Sequence, residues 1–349
     1  MNKKKGIWAV LFLVIAAFSI WAVIAQCKDF SLENFKECIR KANPAWLVAA
    51  VFCMMGFIVF EGLALQSIIK AFGYPKGWHK GFVYSSADIY FSAITPSATG
   101  GQPASGYFMM ADGIPGAVVT VSLIVNLIMY TAAFLVVGAV CLMIRPRMYL
   151  MFHLPGRILI VVGYAILLGL GIMFYLFIKK EKVIFGLADR VMVFLGKIHI
   201  LHRINKRRRN LVKTMQEYRE CTRMIAGHQK MLVQAFLFNL LQRVSQITVT
   251  MCVFLATGGV ADKALDIWVT QSLVAIGSNC IPVPGAMGVA DYLLLDGFSN
   301  MMSAHYATNL ELLSRSLSFY SCIIISGVTV VAAWLLRNIT LKERINRKQ

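Results

Sequence analysis

The residue best placed to do chemistry in this 349-residue sequence is an arginine in the middle of an apolar stretch. Arg243 lies in the run 239–246, Asn-Leu-Leu-Gln-Arg-Val-Ser-Gln, within a stretch long enough to cross a membrane. A charged side chain at that depth is costly in a bilayer and by default marks a binding site or an ion pathway. A guanidinium holds a phosphate through paired hydrogen bonds. Arg243 and its neighbour Gln242 are therefore predicted to bind substrate.

Acidic side chains occur in similar apolar surroundings. Asp88 and Asp291 fall within two apolar stretches, and we predict that both line the substrate site. Structural roles, at the membrane interface or in ion pairs, are expected for three other acids: Glu61, Asp296 and Glu311. Glu311 and Arg315 are four residues apart, a spacing that brings them together on one helix face near the outer surface. Arg315 is also predicted to belong to the substrate site.

Two apolar stretches are interrupted near their middles by proline and glycine. Gly81–Met110 is broken at 95–103, and Ile267–Phe298 is broken at 281–288. Irregular backbone at membrane depth is tolerated only where protein or a water-filled cavity surrounds it. A half-helix starting at such a break points free N–H groups into the cavity, which suits a phosphate. The substrate-site residues predicted in the breaks are Pro96, Thr99, Gly100, Gly101, Gln102, Pro103, Pro282, Pro284 and Gly285.

Motifs of metal, cofactor or nucleophile chemistry are missing from the sequence. It contains no CxxC, HExxH, GxSxG, phosphate-binding loop or dinucleotide fingerprint. The eight cysteines are scattered, and Cys27 and Cys38 would pair only if their shared loop faces the outside. We predict no metal, no cofactor and no catalytic residue.

Composition places the chain among integral membrane proteins. It is 58% hydrophobic and 15% charged, whereas soluble proteins carry about 25% charged residues. The net charge of +19 is expected to face an anionic inner leaflet rather than nucleic acid. Six apolar runs have spanning length: Ile7–Ala25, Ala45–Leu65, Gly116–Ile144, Ile158–Ile178, Met231–Ala256 and Leu317–Leu336. The first follows Lys3–Lys5 and is interpreted as an uncleaved helix.

Basic loops predict the topology. The segment 179–230 carries 14 basic residues against four acids, so it is expected to lie in the cytoplasm as amphipathic helices along the inner leaflet. The segment 179–230 is cytoplasmic only if Gly81–Met110 enters the membrane and returns to the same side as a re-entrant hairpin. The basic residues after the last span are likewise cytoplasmic only if Ile267–Phe298 is a hairpin that enters from the outside. Both termini are then cytoplasmic, in a multi-pass protein of a cell membrane.

The predicted fold is an all-α polytopic membrane domain, 1–349, with about six full spans and two re-entrant broken-helix hairpins. Repeat 45–144 and repeat 231–336 have opposite orientation. At an offset of 184 residues, Asp112-Gly113 matches Asp296-Gly297. Inverted repeats whose broken helices meet near the midplane are typical of transporters.

Three strings resemble a known family. They are 94–103 (Ile-Thr-Pro-Ser-Ala-Thr-Gly-Gly-Gln-Pro), 282–289 (Pro-Val-Pro-Gly-Ala-Met-Gly-Val) and Arg315–Tyr320. They are similar to the lysylphosphatidylglycerol synthase transmembrane, flippase-like family, which includes the membrane half of the multiple peptide resistance factor. The resemblance implies movement of a lipid between leaflets, such as aminoacylated phosphatidylglycerol or a related anionic or polyprenyl lipid.

The resemblance leaves other functions open. Full-length family members carry a soluble domain that transfers lysine from tRNA to lipid, and 13 residues after the last predicted span leave no room for it here. The chain would then serve as the membrane component of a phosphatidylglycerol lysyltransferase, with a separate synthase as partner, in resistance to cationic peptides. An embedded transferase using Asp88 or Asp291 as base, and a homo-oligomer, are further alternatives.

Overall fold

The computed structural model describes residues 39–95, 98–179, 225, 227–279 and 288–346. Within these ranges the regular secondary structure is entirely helical, which confirms the all-α prediction. The predicted first span Ile7–Ala25 and most of the basic segment 179–230 lie outside the described residues.

The helices follow one another with short connections. In chain order they are α1 (Pro44–Ala71), α2 (Trp78–Ile94), α3 (Gly101–Ala111), α4 (Gly116–Ile144), α5 (Pro146–Met151), α6 (Leu154–Lys179), α7 (Gln229–Ala256), α8 (Ala264–Ser278), α9 (Val289–Phe298), α10 (Ala304–Arg315) and α11 (Ser321–Asn346). A π-helical turn, Ser316–Tyr320, joins α10 to α11.

Length and composition identify four helical segments that can cross a membrane. They are Pro44–Ala71, Gly116–Ile144, Leu154–Met173 and His305–Arg337, and each contains most of a predicted apolar run. Helix α7 is as long as α1, at 28 residues, but it carries Asn239, Gln242, Arg243 and Gln246 in its middle. These polar residues lower its hydropathy and set it apart from the four apolar segments.

Helices α1 and α7 pack antiparallel and form the centre of the fold. The backbone N–H of Asn43, just before α1, donates to the carbonyl of Ala256 at the end of α7, at 2.8 Å. Two apolar clusters lie along this pair. The Phe254 cluster includes Ala50, Met54, Phe57, Ile58, Ile247 and Val253, and the Phe72 cluster includes Leu65, Ile68, Ile225, Met231 and Ala235.

Both broken stretches fold back on themselves. Lys80 near the start of α2 bonds through Nζ to the Asp112 carboxylate at the end of α3, at 2.9 Å. Lys263 just before α8 donates to the backbone oxygen of Met301 after α9, at 3.4 Å. The first break ends at Gly100, since α3 begins at Gly101, within the predicted break 95–103. The second lies mainly in 280–287, outside the described residues.

Glycine permits the close approach of α1 and α2. A Cβ added at Gly62 would stand 2.7 Å from the carbonyl carbon and oxygen of Gly81, and one at Gly81 would stand 2.7 Å from the oxygen of Gly62. The two backbones are therefore in direct contact. This contact holds the first hairpin against the central helix pair.

Gly62→Ala is expected to destabilise the protein, because overpacking at a tight contact costs about 1–3 kcal/mol. Gly169→Ala in α6 is the matched control, since nothing lies within 4 Å of a Cβ built there. Alanine should there stabilise the helix by roughly 0.5–1 kcal/mol. Thermal unfolding of both variants in one detergent measures the difference. Equal midpoints would contradict the close packing of α1 on α2.

Candidate functional site: a buried polar layer

A layer of polar side chains separates the Phe254 cluster from the Phe72 cluster. Helices α1, α2, α3, α4 and α7 all contribute to it, and contacts connect its members. They are Glu61, Asp88, Gln102, Asn126, Tyr130, Asn239, Gln242, Arg243 and Gln246. The residues Glu61, Asp88 and Arg243 are each 7% exposed or less. We refer to these nine residues as the polar layer.

Arg243 stacks on aromatic rings inside the layer. Its guanidinium carbon lies 4.0 Å from the ring centroid of Tyr130 and 5.0 Å from that of Phe134. Its Nη1 donates to Gln246 Oε1 at 2.5 Å. Among the described residues no acid forms an ion pair with it within 4.0 Å, and its buried Nε has no hydrogen-bond partner. The rings supply cation–π stabilisation in place of a counter-ion.

Two carboxyl groups face this arginine from α1 and α2. Glu61 Oε2 accepts a hydrogen bond from Gln242 Nε2 at 2.9 Å, and Glu61 interacts with both Asp88 and Arg243. Asp88 accepts from Ser92 Oγ at 3.1 Å and from Gln102 Nε2 at 3.0 Å. Both Asp88 oxygens are thus occupied by protein donors.

The amino end of α3 lies directly against Asp88. The helix begins at Gly101, and a Cβ there would collide with Asp88 Oδ1 and Ser92 Oγ, so only glycine allows this approach. The backbone N–H of Gly100 donates to Thr95 Oγ1 at 2.9 Å. The positive end of a helix dipole stabilises a carboxylate placed there. The anion position predicted at this helix end therefore holds a carboxyl group of the protein itself.

A second charged cluster lies at the other half-helix. Asp291, in the first turn of α9, accepts from the Gly288 N–H at 2.7 Å and pairs with Arg315 Nη2 at 2.5 Å. Arg315 Nε also lies 3.5 Å from Glu311 Oε1, which confirms the predicted pair. The Asp291 side chain is 31% exposed. We refer to Asp291, Glu311 and Arg315 as the Arg315 cluster.

The structure divides the predicted site residues between these two places. Arg243, Gln242, Asp88 and Gln102 belong to the polar layer, and Gly101 abuts it. Asp291 and Arg315 belong to the Arg315 cluster. Thr99 and Pro103 are exposed beside the break, with Gly100 between them partly buried. Pro96, Pro282, Pro284 and Gly285 lie outside the described residues.

Sequence reasoning did not place several members of the layer. Glu61 was expected in a structural role, yet it lies beside Asp88 and Gln242. Asn239 donates to Asn126 Oδ1 at 3.0 Å across α7 and α4. A usable signal was the spacing of Asn239, Gln242, Arg243 and Gln246 on one face of α7, since residues three and four apart share a helix face.

Comparisons with known proteins identify the family of this chain. Residues 7–326 match the family described as "Lysylphosphatidylglycerol synthase TM region". A "UPF0104 membrane protein" of Archaeoglobus fulgidus is 20% identical over 332 residues, which cover 91% of this chain and 94% of that protein. Apolar helices of spanning length and this match identify a multi-pass membrane protein. The chain belongs to the lysylphosphatidylglycerol synthase transmembrane-region family.

Proposed function

We propose that the protein moves a phospholipid between the leaflets of a bacterial cell membrane and that Arg243 binds the headgroup phosphate. The observation that carries this proposal is the state of Arg243. It is 6% exposed, its Nε has no hydrogen-bond partner, and no described acid pairs with it within 4.0 Å. A buried cation without a paired anion is costly. A phosphate oxygen would pair directly with the guanidinium and accept a hydrogen bond from the free N–H.

The aromatic rings around Arg243 suit this role. The ring centroids of Tyr130, Phe134 and Phe57 lie 4.0, 5.0 and 5.7 Å from the guanidinium carbon. Nη1 donates to Gln246 Oε1, whereas Nε has no hydrogen-bond partner and remains for a phosphate oxygen. Arginine recognises phosphate through the N–H groups in the plane of its guanidinium.

The proposed topology is six spans with two re-entrant hairpins, arranged as inverted repeats 45–144 and 231–336. Three features support it: both broken stretches bring their outer ends together, α1 runs antiparallel to its counterpart α7, and equivalent neighbours pack in both repeats. Thus α1 packs on α2 as α7 packs on α8, and α2 packs on α3 as α8 packs on α9. In this topology the segment 179–230 lies on the anionic inner leaflet.

The substrate we propose is aminoacylated phosphatidylglycerol or a related anionic or polyprenyl lipid. The family's description names lysylphosphatidylglycerol synthase, and all of these lipids share the phosphate that Arg243 would hold. Delivery of a lysyl-lipid to the outer leaflet would add positive charge there and reduce binding of cationic peptides. Phospholipid is thus the expected partner.

The family description also supports a second candidate, the membrane component of a phosphatidylglycerol lysyltransferase. A separate synthase would then supply the transfer chemistry. Purified protein given lysyl-tRNA and phosphatidylglycerol is expected to form no lysyl-lipid. Product made by this chain alone, measured by radiolabelled lysine in the lipid fraction, would favour the embedded transferase.

Cysteine labelling tests the hairpin topology. With the eight native cysteines replaced, Gly116→Cys is expected to react with an impermeant thiol reagent only from the cytoplasmic side, and Ala261→Cys only from outside. Both positions are exposed, and a Cβ at Gly116 meets only the Met110 sulfur at 3.7 Å. Reaction of Gly116→Cys from outside would mean that Gly81–Met110 crosses once.

Arg243→Lys is expected to reduce lipid translocation by roughly 10- to 100-fold. A charged hydrogen bond contributes about 1.5–3 kcal/mol, and each 1.4 kcal/mol is about tenfold. Lysine keeps the charge but lacks the planar edge and the ring stacking. The readout is the loss of fluorescent phosphatidylglycerol from the inner leaflet of proteoliposomes.

Arg157→Lys is the matched control for this measurement. Arg157 Nε donates to the carbonyl of Phe152 at 2.7 Å, beside the α5–α6 connection and away from the polar layer. This variant is expected to translocate lipid like the parent protein. Wild-type translocation by Arg243→Lys, in protein that elutes as a single peak, would remove Arg243 from the substrate site.

A further inference from the structure

The polar layer contains more acid than base. Glu61 from α1 and Asp88 from α2 carry two negative charges when both are ionised, and Arg243 from α7 carries one positive charge, so the sum is 1 − 2 = −1. The remaining groups facing this pair are neutral: Gln102 from α3, Tyr130 from α4, Gln242 from α7 and Cys322 beside the π-helical turn. The enclosed part of the layer therefore has a net charge of −1 when both acids are ionised.

A net charge enclosed between two apolar clusters is too costly to persist. Glu61 and Asp88 are each 7% exposed, so water cannot screen the excess negative charge. Groups in such places neutralise by binding a proton or an ion. The layer must hold one additional positive charge.

Hydrogen bonding indicates which of the two acids, Glu61 or Asp88, binds the additional proton. Asp88 accepts from Ser92 and from Gln102, and it faces the positive end of α3. These interactions stabilise the ionised form of Asp88. Glu61 accepts a single hydrogen bond, from Gln242 Nε2 at 2.9 Å, and its carboxyl group lies against Asp88. Glu61 is therefore the member of the pair that carries the proton.

A second observation at the same place points to a proton. Gln242 is 1% exposed, and its Oε1 has no hydrogen-bond partner, although its Nε2 is bonded to Glu61. This unused acceptor stands beside the glutamate and can receive a carboxylic O–H. A metal ion fits less well, because among the described residues no group of three or more His, Cys, Asp or Glu is arranged to hold one.

The Arg315 cluster differs from the polar layer in how its arginine is paired. It has the same composition, two acids and one arginine, but there the arginine pairs with both acids, at 2.5 and 3.5 Å. Asp291 is 31% exposed, so water screens the remaining charge. Glu311 is 7% exposed but lies beside Arg315, whereas in the polar layer both acids are enclosed and neither lies within 4.0 Å of Arg243.

We infer that the Glu61–Asp88 pair is a proton-binding site whose occupancy is linked to anion binding at Arg243. With Glu61 protonated, the layer is neutral. A phosphate monoanion arriving at Arg243 adds one negative charge, and the pair takes up a second proton to restore neutrality. Lipid anion and proton then occupy the layer together. The link to lipid rests on the proposed function, whereas the resident proton does not.

Infrared spectroscopy of the purified protein at neutral pH tests the resident proton. The carbonyl stretch of a protonated carboxylic acid is expected in the wild type and lost from Glu61→Gln. Asp88→Asn should remove the same band, because Glu61 then balances Arg243 and ionises. Arg243→Leu should increase the band, since two acids then need protons. Asp262→Asn, an exposed acid, is the control and should leave it unchanged.

The Asp88→Asn spectrum separates charge balance from burial alone. An acid protonated only because it is buried would keep its band in Asp88→Asn. Glu311 is also 7% exposed and can contribute to the total band, so the test is the change in intensity. An undiminished band in that variant, or in Glu61→Gln, overturns the assignment. The two isosteric variants keep side-chain volume, so either one decides the question if the other does not fold.

Proton uptake tests the linkage. Short-chain phosphatidylglycerol is added to weakly buffered protein in detergent, and a pH indicator is followed. The wild type is expected to take up about one proton per lipid bound. Each single variant should do the same, because one acid remains, whereas Glu61→Gln/Asp88→Asn should bind lipid without uptake.

The outcomes distinguish the two proposals. Lipid binding without uptake in the wild type overturns the linkage and leaves the proposed function standing. Failure of the lipid to bind, with the Glu61 band present, removes the phosphate role of Arg243 and leaves the proton site standing. Absence of lipid binding together with absence of the Glu61 band overturns both the phosphate role of Arg243 and the proton site.

Discussion

A guanidinium enclosed between two apolar clusters is the constraint on which the rest of this structure depends. Arg243 lies in the middle of α7, and a charge at that depth must be stabilised by its surroundings. Three aromatic rings from α1 and α4 cover its face, and Gln246 one turn along takes one N–H. The packing of α1, α4 and α7 around one point follows from that requirement.

The first broken helix follows from the same requirement. An unbroken helix would present only side chains to the layer, whereas the break at 95–100 presents the amino end of α3 to Asp88. The close backbone contacts at Gly62, Gly81 and Gly101 bring this helix end within reach. The acid that interacts with Glu61 is thus held by the dipole of a half-helix and by Gln102.

The two charged clusters show that composition does not determine chemistry. Each joins two acids and one arginine beside a half-helix, yet Arg315 is paired with its acids and Arg243 rests on rings instead. Exposure accounts for the difference, since the side chain of Asp291 reaches water and Asp88 does not. Arg315 is held by its two acids, whereas Arg243 keeps one N–H without a protein partner.

The sequence alone determined the class of fold, the positions of most helices and the presence of a charge, Arg243, inside an apolar stretch. Apolar runs of spanning length, Pro- and Gly-rich breaks and a lone charge are local properties, readable without neighbours. The tertiary structure alone decided which acids meet. Glu61 and Asp88 are 27 residues apart in the chain, and the pairing of Gln242 with Glu61 joins residues 181 apart. Helix periodicity indicates which residues share one face of a helix, but helix packing decides which faces meet, because burial and pairing depend on contacts between distant segments.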